Sequence, residues 1–283
     1  MRWLRPLPRH VDCRVGGMNP SRPDHTPAST EATARLSALL RSRLNAMGLV
    51  TAPEPSAADV RRVRDADALL AQFVRASRHT SGTVRAFSSL IADAHEDDGN
   101  TMHWLSRVER AAAELDVFSA RLCALRLNDH ERPVSARWSD VFSRVAARCS
   151  HIAPCTIEAI DRSRAPFTQR GELLGRMIFQ LVRNAMEASP RGGMVRVRVD
   201  EFRRDALRQF HVRVSDEGPG LDPAVAASAW EPYVTTRRGH AGLGLAFVAA
   251  AAPVVGAAVG MRREASRTTV HMMVGEEGGL QWE

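Results

Sequence analysis

The chain contains no lysine: all 39 of its strongly basic side chains are arginine. That rules out the P-loop way of holding phosphates, which needs a lysine after its glycines, and it suggests a GC-rich coding bias. Cysteine is scarce as well. Cys13, Cys123, Cys149 and Cys155 form no CxxC pair and show no His/Cys ligand spacing, which argues against a disulfide framework or a zinc site and leaves free thiols as the expectation. There is no long apolar run and no signal-peptide core, so a soluble cytoplasmic protein with no membrane span is expected. Acidic residues are few only near the start. Residues 1–50 hold eight Arg against three Asp/Glu, out of a net charge of +7. The rest of the chain is close to balance, which argues against a basic nucleic-acid-binding face.

What is present divides by texture. Residues 1–30 are rich in Pro, Gly, Arg and Ser without periodicity and read as a disordered tail, with Met18 a second candidate start. Residues 31–48 have helical spacing and end at Gly48, a plausible C-cap. Thr51 to Ser56, with Pro53 and Pro55, reads as a linker that closes a first region, 1–65. From Ala66 a seam of Leu69, Phe73, Ser77, Thr80, Val84, Phe87 and Ile91 steps by threes and fours. A second seam follows through Leu105, Val108, Ala112, Leu115, Phe118, Leu122 and Leu125. The short polar stretch His95 to Asn100 between them predicts an antiparallel hairpin over 66–130. One hairpin buries too little alone, so a four-helix bundle in a homodimer is expected.

After Pro133 strand and helix patterns mix. Thr156–Ile160 reads as a strand and Gly171–Ser189 as an amphipathic helix. Met194–Val199 and Phe210–Val214 alternate apolar residues with Arg or His at period two, Leu243–Ala252 is helical up to Pro253, and Thr268, Val270 and Met272 alternate in a last strand. No internal repeat is visible. The fold class expected is α+β: a helical hairpin followed by an α/β sandwich over 131–275, with a short tail at 276–283.

Within the sandwich three features stand in order. Asn184 lies on the rim of the apolar arc of its helix, with Gln180 and Glu187 beside it, where its amide oxygen can take a hard cation such as Mg²⁺. Asp216 ends an alternating strand and opens a turn with Gly218 and Gly220, where a carboxylate can accept an exocyclic amine and glycines permit close approach. Gly239, Gly242 and Gly244 precede an apolar helix, and backbone amides at a glycine-rich helix start suit phosphate. Each feature alone is common.

Together the set resembles the ATP-binding domain of histidine kinases, a fold shared with gyrase B and MutL. Gln180-Leu-Val-Arg-Asn-Ala-Met-Glu-Ala188 resembles the N box and Asp216-Glu-Gly-Pro-Gly220 the first glycine box. Trp230-Glu-Pro-Tyr-Val-Thr-Thr-Arg237 resembles the F box and Gly242-Leu-Gly-Leu245 the second glycine box. The resemblance covers about residues 135–275. It implies ATP and Mg²⁺ as ligands, with Asn184, Glu187, Asp216, Gly218, Gly220, Thr236, Arg237, Gly242, Leu243 and Gly244 around the nucleotide and Asn184 on the metal. Gln180 stands where gyrase-like ATPases carry a glutamate general base, which favours transfer over hydrolysis. The short stretch between Arg237 and Gly242 implies a short lid, and Arg237 replaces a lysine. Ala249-Ala-Ala-Ala-Pro-Val-Val-Gly256 lacks the charged residues usual after the second glycine box.

In the hairpin, His79-Thr-Ser-Gly-Thr83 resembles the H box. The resemblance makes His79 the phosphoacceptor, with Thr83 where a residue assisting phosphatase chemistry stands. It departs at Thr80, in place of an acidic residue, and at Val84, in place of proline. His95 falls in the expected hairpin loop. The function implied is a sensor histidine kinase that phosphorylates itself and passes the group to the aspartate of a response-regulator receiver domain. Two alternatives stand beside it: a kinase-dead phosphatase or phosphotransfer hub, and an ATP-gated scaffold.

Overall fold

The computed structural model describes residues 27–54, 57–95, 98–123, 131, 133–150, 152, 155–204, 207–237, 240, 242–264 and 267–276. Cys13, Met18, Leu125, Gly239 and residues 277–283, the bulk of the expected C-terminal tail, lie outside them. Helix α1 spans Pro27–Ala46 and strand β1 Val50–Thr51. Two long helices follow, α2 at Ala57–Ala94 and α3 at Gly99–Cys123. Then come β2 (Val134–Ala136), α4 (Trp138–Cys149), β3 (Thr156–Arg162), β4 (Phe167–Gln169) and α5 (Gly171–Ala188). The chain continues through β5 (Met194–Arg204), β6 (Leu207–Asp216), α6 (Pro223–Ser228) and α7 (Gly244–Ala251), which runs into a 3-10 turn at Ala252–Val255. It closes with β7 (Ala257–Glu264) and β8 (Arg267–Gly275).

Six strands form one sheet in the order β1-β7-β8-β6-β5-β3, with β2 and β4 a separate pair. β3 runs parallel to β5 and every other neighbour is antiparallel. The main core lies on one face, where Val195, Val197, Val199, Val212, Val214, Met272 and Val274 meet the apolar sides of α4, α5 and α7. α5 is amphipathic at helical spacing: Leu174, Met177, Ile178, Leu181 and Val182 are almost wholly buried, each contributing about 1.5–3 kcal/mol.

Several expectations need correction. Residues 27–30 are the first turn of α1, so the tail does not reach residue 30. The expected cap does hold: α1 ends at Ala46, and Gly48 just past it takes the left-handed φ of 73° that suits a C-cap glycine. Val50 and Thr51 are not linker. They pair with Met261 and Gly260 of β7, and the Ala52 N–H donates to the Val259 carbonyl at 3.0 Å. α1 lies on the far face of the sheet, where Leu36, Leu40, Leu44 and Leu49 pack on Leu207, Ala258 and Met273 in a second core. The far face closes tightly on it: a Cβ on Gly275 would overlap the Leu36 side chain. The sheet therefore takes its edge strand and part of its second layer from the first region, 1–65, which lies outside the sandwich expected over 131–275. The α-helix does stop before Pro253, as expected: α7 ends at Ala251, and Pro253 sits in the 3-10 turn that follows to Val255.

The hairpin forms, and its inner seam keeps Ser77, Leu105 and Ala112 of the expected seams but leaves out several of their bulky members. Side chains buried between α2 and α3 include Val74, Ser77, Ser81 and Ser88 on one helix and Leu105, Ala112 and Ser119 on the other. The Ser81 hydroxyl donates to the Ala112 carbonyl at 3.1 Å. Of the expected seam, Phe73, Phe87, Ile91 and Val108 are exposed, together with Leu90, Met102 and Trp104. Small polar residues can approach closely and satisfy themselves with backbone carbonyls, so they line the contact within one chain and leave the bulky apolar residues outside. Among the described residues no helix is long and apolar enough to cross a membrane.

Candidate functional site

On the covered face of the sheet, the second half of α5 is the meeting point of the expected nucleotide residues. Gln180, Asn184 and Glu187 recur every third or fourth residue and so share one side of the helix. Gln180 is buried and Asn184 and Glu187 half-buried. The start of α7 abuts them: a Cβ on Gly244 would stand 3.3 Å from both Asn184 Nδ2 and Gln180 Oε1. Any larger residue there would press on both amides. Gln180 Oε1 is buried and has no hydrogen-bond partner, a cost of about 1–3 kcal/mol unless something binds there. This orphaned oxygen and the amide oxygen of Asn184 are hard donors of the kind Mg²⁺ takes, so the residues fit that ion.

Asp216 ends β6 as a nearly buried carboxylate, 6 % exposed. It accepts the Gly218 N–H at 2.8 Å, which fixes its orientation. Burial raises its pKa, while the Gly218 N–H and the Arg237 guanidinium oppose the shift. Gly218 presses on the end of α5, where a Cβ would come 2.7 Å from the Ala188 carbonyl oxygen. Only glycine lets this turn close on the helix that carries Asn184. Arg263 Nε covers Gly220.

The segment after Trp230 folds back on itself. The Tyr233 N–H donates to the Gly242 carbonyl at 3.1 Å. Tyr233 holds φ 68° and is 78 % exposed, a backbone conformation that costs a non-glycine residue energy and recurs at ligand sites. Gly242, at φ 63°, has no room for a Cβ, which would fall 2.6 Å from the Tyr233 carbonyl carbon. Thr235 Oγ1 accepts the Arg237 N–H at 3.1 Å, and Thr236 is exposed beside it. Arg237 reaches α5, donating to the Asn184 carbonyl and to Glu187 Oε2, each at 3.4 Å. Leu243 precedes the first turn of α7, whose amides have no intrahelical acceptor and can receive an anion.

The structure thus gathers Asn184, Glu187, Asp216, Gly218, Gly242, Leu243 and Gly244 around the C-terminal half of α5, with Arg237 bridging from the folded-back segment. Glu187 is shared among Arg237, Arg183 at 3.7 Å and His240 at 3.5 Å. His240, Arg183, Arg263 and Tyr233 were not anticipated from the sequence. Nothing in the local pattern marks the first three, and the strained φ of Tyr233 is a product of the tertiary fold.

The expected phosphoacceptor stands elsewhere. His79 lies on α2, exposed, one turn before Thr83. The Thr83 hydroxyl donates to the His79 carbonyl at 3.0 Å and faces its Nδ1 at 3.4 Å. His95 follows the end of α2, where its N–H donates to the Ala92 carbonyl. Of the cysteines, Cys149 is a buried free thiol whose pKa burial pushes up to about 11, which makes it a poor nucleophile. Cys155 is also free.

Residues 169–277 match the family described as histidine kinase-, DNA gyrase B-, and HSP90-like ATPase. The sensory histidine kinase/phosphatase NtrB of Rhodobacter capsulatus is 34% identical over 103 residues, 32% of this chain and 28% of that protein. The sensor protein DivL of Caulobacter vibrioides is 28% identical over 206 residues, 71% of this chain and 24% of that protein. The chain therefore matches about a quarter of the length of these relatives. Among solved structures, full-length ShkA in complex with AMPPNP aligns with TM-score 0.59 at 20% identity, covering 75% of this chain and 47% of that one, a likeness of fold. Residues 169–277 thus match the histidine kinase-, DNA gyrase B-, and HSP90-like ATPase family, and over part of its length the chain is similar to sensor histidine kinases.

Proposed function

We propose that this chain is an ATP-dependent histidine kinase that phosphorylates His79 and passes the phosphoryl group to the aspartate of a response-regulator receiver domain. The observation that carries the reading is the convergence of Asn184, Asp216 and the Gly242–Gly244 turn on one helix, α5. In this reading Asp216 accepts the exocyclic amine of adenine, Gly218 and Gly220 let the base approach, and the first turn of α7 holds phosphate. Asn184 and Gln180 would hold Mg²⁺, which neutralises phosphate charge when bound. Because Gln180 is not a carboxylate, it cannot take a proton from water, and this favours transfer to a protein group over hydrolysis.

The acceptor geometry supports a defined nitrogen. The single hydroxyl proton of Thr83 is directed to the His79 carbonyl, so the face of its oxygen toward Nδ1 is a lone pair. That arrangement favours the Nδ1–H tautomer and leaves the Nε2 lone pair pointing outward. Nε2 then attacks the γ-phosphorus, the bond from that phosphorus to the β–γ bridging oxygen breaks, ADP leaves, and the Nδ1 proton passes to solvent. The exposed apolar face of the hairpin, Phe73, Phe87, Leu90, Ile91 and Trp104, fits a second hairpin and hence a homodimer. Domain limits in this reading are a helical hairpin built on α2 and α3, which begins at Ala57 rather than at 66, and a nucleotide domain over 131–275, to which α1 and β1 are joined.

Asn184→Ala tests the site. Phosphorylation should be lost while ATP affinity falls only slightly, because the amide positions the metal rather than adenine. Unchanged turnover in that variant would remove the assignment. A second reading, a phosphatase or phosphotransfer hub without kinase activity, is favoured by Thr80 beside His79. ATP that binds tightly yet leaves no label on the chain would decide for it or for a nucleotide-gated scaffold.

A further inference from the structure

The period-two alternation of β5 and β6 places valines on the covered face and a second set, Arg196, Arg198, His211 and Arg213, on the far face. The nucleotide reading uses none of this second set. α1 covers only part of the far face and stops at Ala46. Beyond it, next to Met47, lies a hollow of about 230 Å³ walled by Arg196, Arg198, Arg213 and Arg262. Its floor carries two cross-strand pairs. His211 Nε2 and His271 Nδ1 stand 2.9 Å apart, and the Ser215 and Thr269 hydroxyls 3.0 Å apart.

The register across the strands is electrostatically costly. Arg198 stands directly opposite Arg213, and like charges placed opposite one another destabilise a sheet. Asp200 takes hydrogen bonds from both Arg198 and Arg213, and Glu158 pairs with Arg196. Arg196, Arg198 and Arg213 thus meet two carboxylates, Glu158 and Asp200, around one concavity, a surplus of positive charge that needs no protonated imidazole. Burial draws the His211 pKa down to about 4, so near neutral pH the floor offers a neutral His211 imidazole able to donate or accept. Arg213 Nε is buried without a hydrogen-bond partner. Asp200 offsets this stacking of arginines in register only in part, and a local rule broken beyond its compensation points to a functional site.

We propose that this hollow is a second anion site, on the opposite face of the sheet from the nucleotide site, that takes a small phosphate-bearing anion on the guanidiniums of Arg198, Arg213 and Arg262. Planar guanidiniums match phosphate oxygens two at a time, and the hollow is smaller than the roughly 300 Å³ at which sites for drug-sized ligands begin. A diphosphate group suits it. Arg262 also donates to the Met47 carbonyl at 3.4 Å, so a bound anion would sit against the chain just past α1.

Inorganic pyrophosphate is the probe, titrated into the full-length protein while the imidazole NMR signals of His211 and His271 are followed. The site predicts saturable shifts of both. Arg198→Gln, which leaves Arg213 on Asp200, and Arg262→Gln on the other wall should each raise the midpoint about tenfold or more, about 1.4 kcal/mol, with the remaining amide spectrum unchanged as proof of folding. Shifts that chloride reproduces at equal ionic strength, or midpoints that neither variant moves, would overturn the proposal, as would silent imidazoles under pyrophosphate.

Discussion

Asp216 shows how one residue's surroundings set its use. It is buried at the end of β6, its pKa raised by that burial, and held in place by the Gly218 N–H. An ionised carboxylate accepting an amine is a charge-assisted contact, and Asp216→Asn should weaken ATP binding by about 1.5–3 kcal/mol. Calorimetry measures this, and an unchanged affinity would remove Asp216 from the adenine contact. Because its pKa is raised, ATP affinity should also fall on mild acidification in the wild type more steeply than in Asp216→Asn. At His79, Thr80 supplies no carboxylate to assist proton transfer. Thr80→Glu should therefore speed autophosphorylation, read as the initial rate of acid-labile labelling, and a rate equal to wild type would show that the neighbour is irrelevant.

His211 makes a stability prediction. It faces His271 of β8 and, on its own and the neighbouring strand, Arg213, Arg198 and Asp200. Its pKa falls from 6.5 to about 4 on folding, chiefly through burial. Between those values the unfolded chain binds a proton that the folded chain refuses, so stability rises with pH across this window. The contribution is on the order of 3 kcal/mol, fully present above pH 6.5 and lost as pH falls to 4. Denaturant unfolding of His211→Gln should show a shallower pH dependence over that range, and parallel curves would mean that His211 does not carry it.

Among the elements, α1 and β1 are where reading the sequence fell furthest short. The helical spacing of 31–48 was legible, but nothing local says that Leu36, Leu40 and Leu44 dock on a sheet built from residues about two hundred positions later. β7 was missed for a related reason. Ala257, Ala258 and Val259 are buried on both faces of the sheet, which erases the alternation that marked β5 and β6. α4 does carry helical spacing in Trp138, Val141, Phe142, Val145 and Cys149, yet Arg137 at its N-cap makes no side-chain hydrogen bond and gives no start signal. β2 and β4, three residues each, are too short for a period. α5 and the glycine turns were legible because amphipathic spacing and turn chemistry are local. The α1 contact predicts that Gly275→Ala destabilises the protein through its overlap with Leu36, by about 1–3 kcal/mol as overpacking does. Leu36→Ala should relieve most of that added cost in the double variant, and full additivity in unfolding experiments would show that the two do not touch.

For the whole molecule, the open question is what covers the outer side of the hairpin. Ser77, Ser81 and Ser88 are buried on the inner side of α2, while Phe87 and Trp104 are 61 % and 60 % exposed. Two such faces packed together give the four-helix bundle that the heptad spacing anticipated, though with the bulky residues between chains rather than within one. Light scattering should report twice the 31.1 kDa chain mass. The paired substitution Phe87→Asp and Trp104→Asp should return it to the single mass, and a monomeric wild type would contradict the bundle.

The central claim is that ATP bound at α5 phosphorylates the imidazole of His79. Incubation of the full-length protein with γ-labelled ATP and Mg²⁺ tests it most directly. The account predicts a label stable to alkali and labile to acid that maps to His79, is absent in His79→Gln and persists in His95→Gln. Label that survives in His79→Gln, or no acid-labile label while ATP binds tightly, would contradict it.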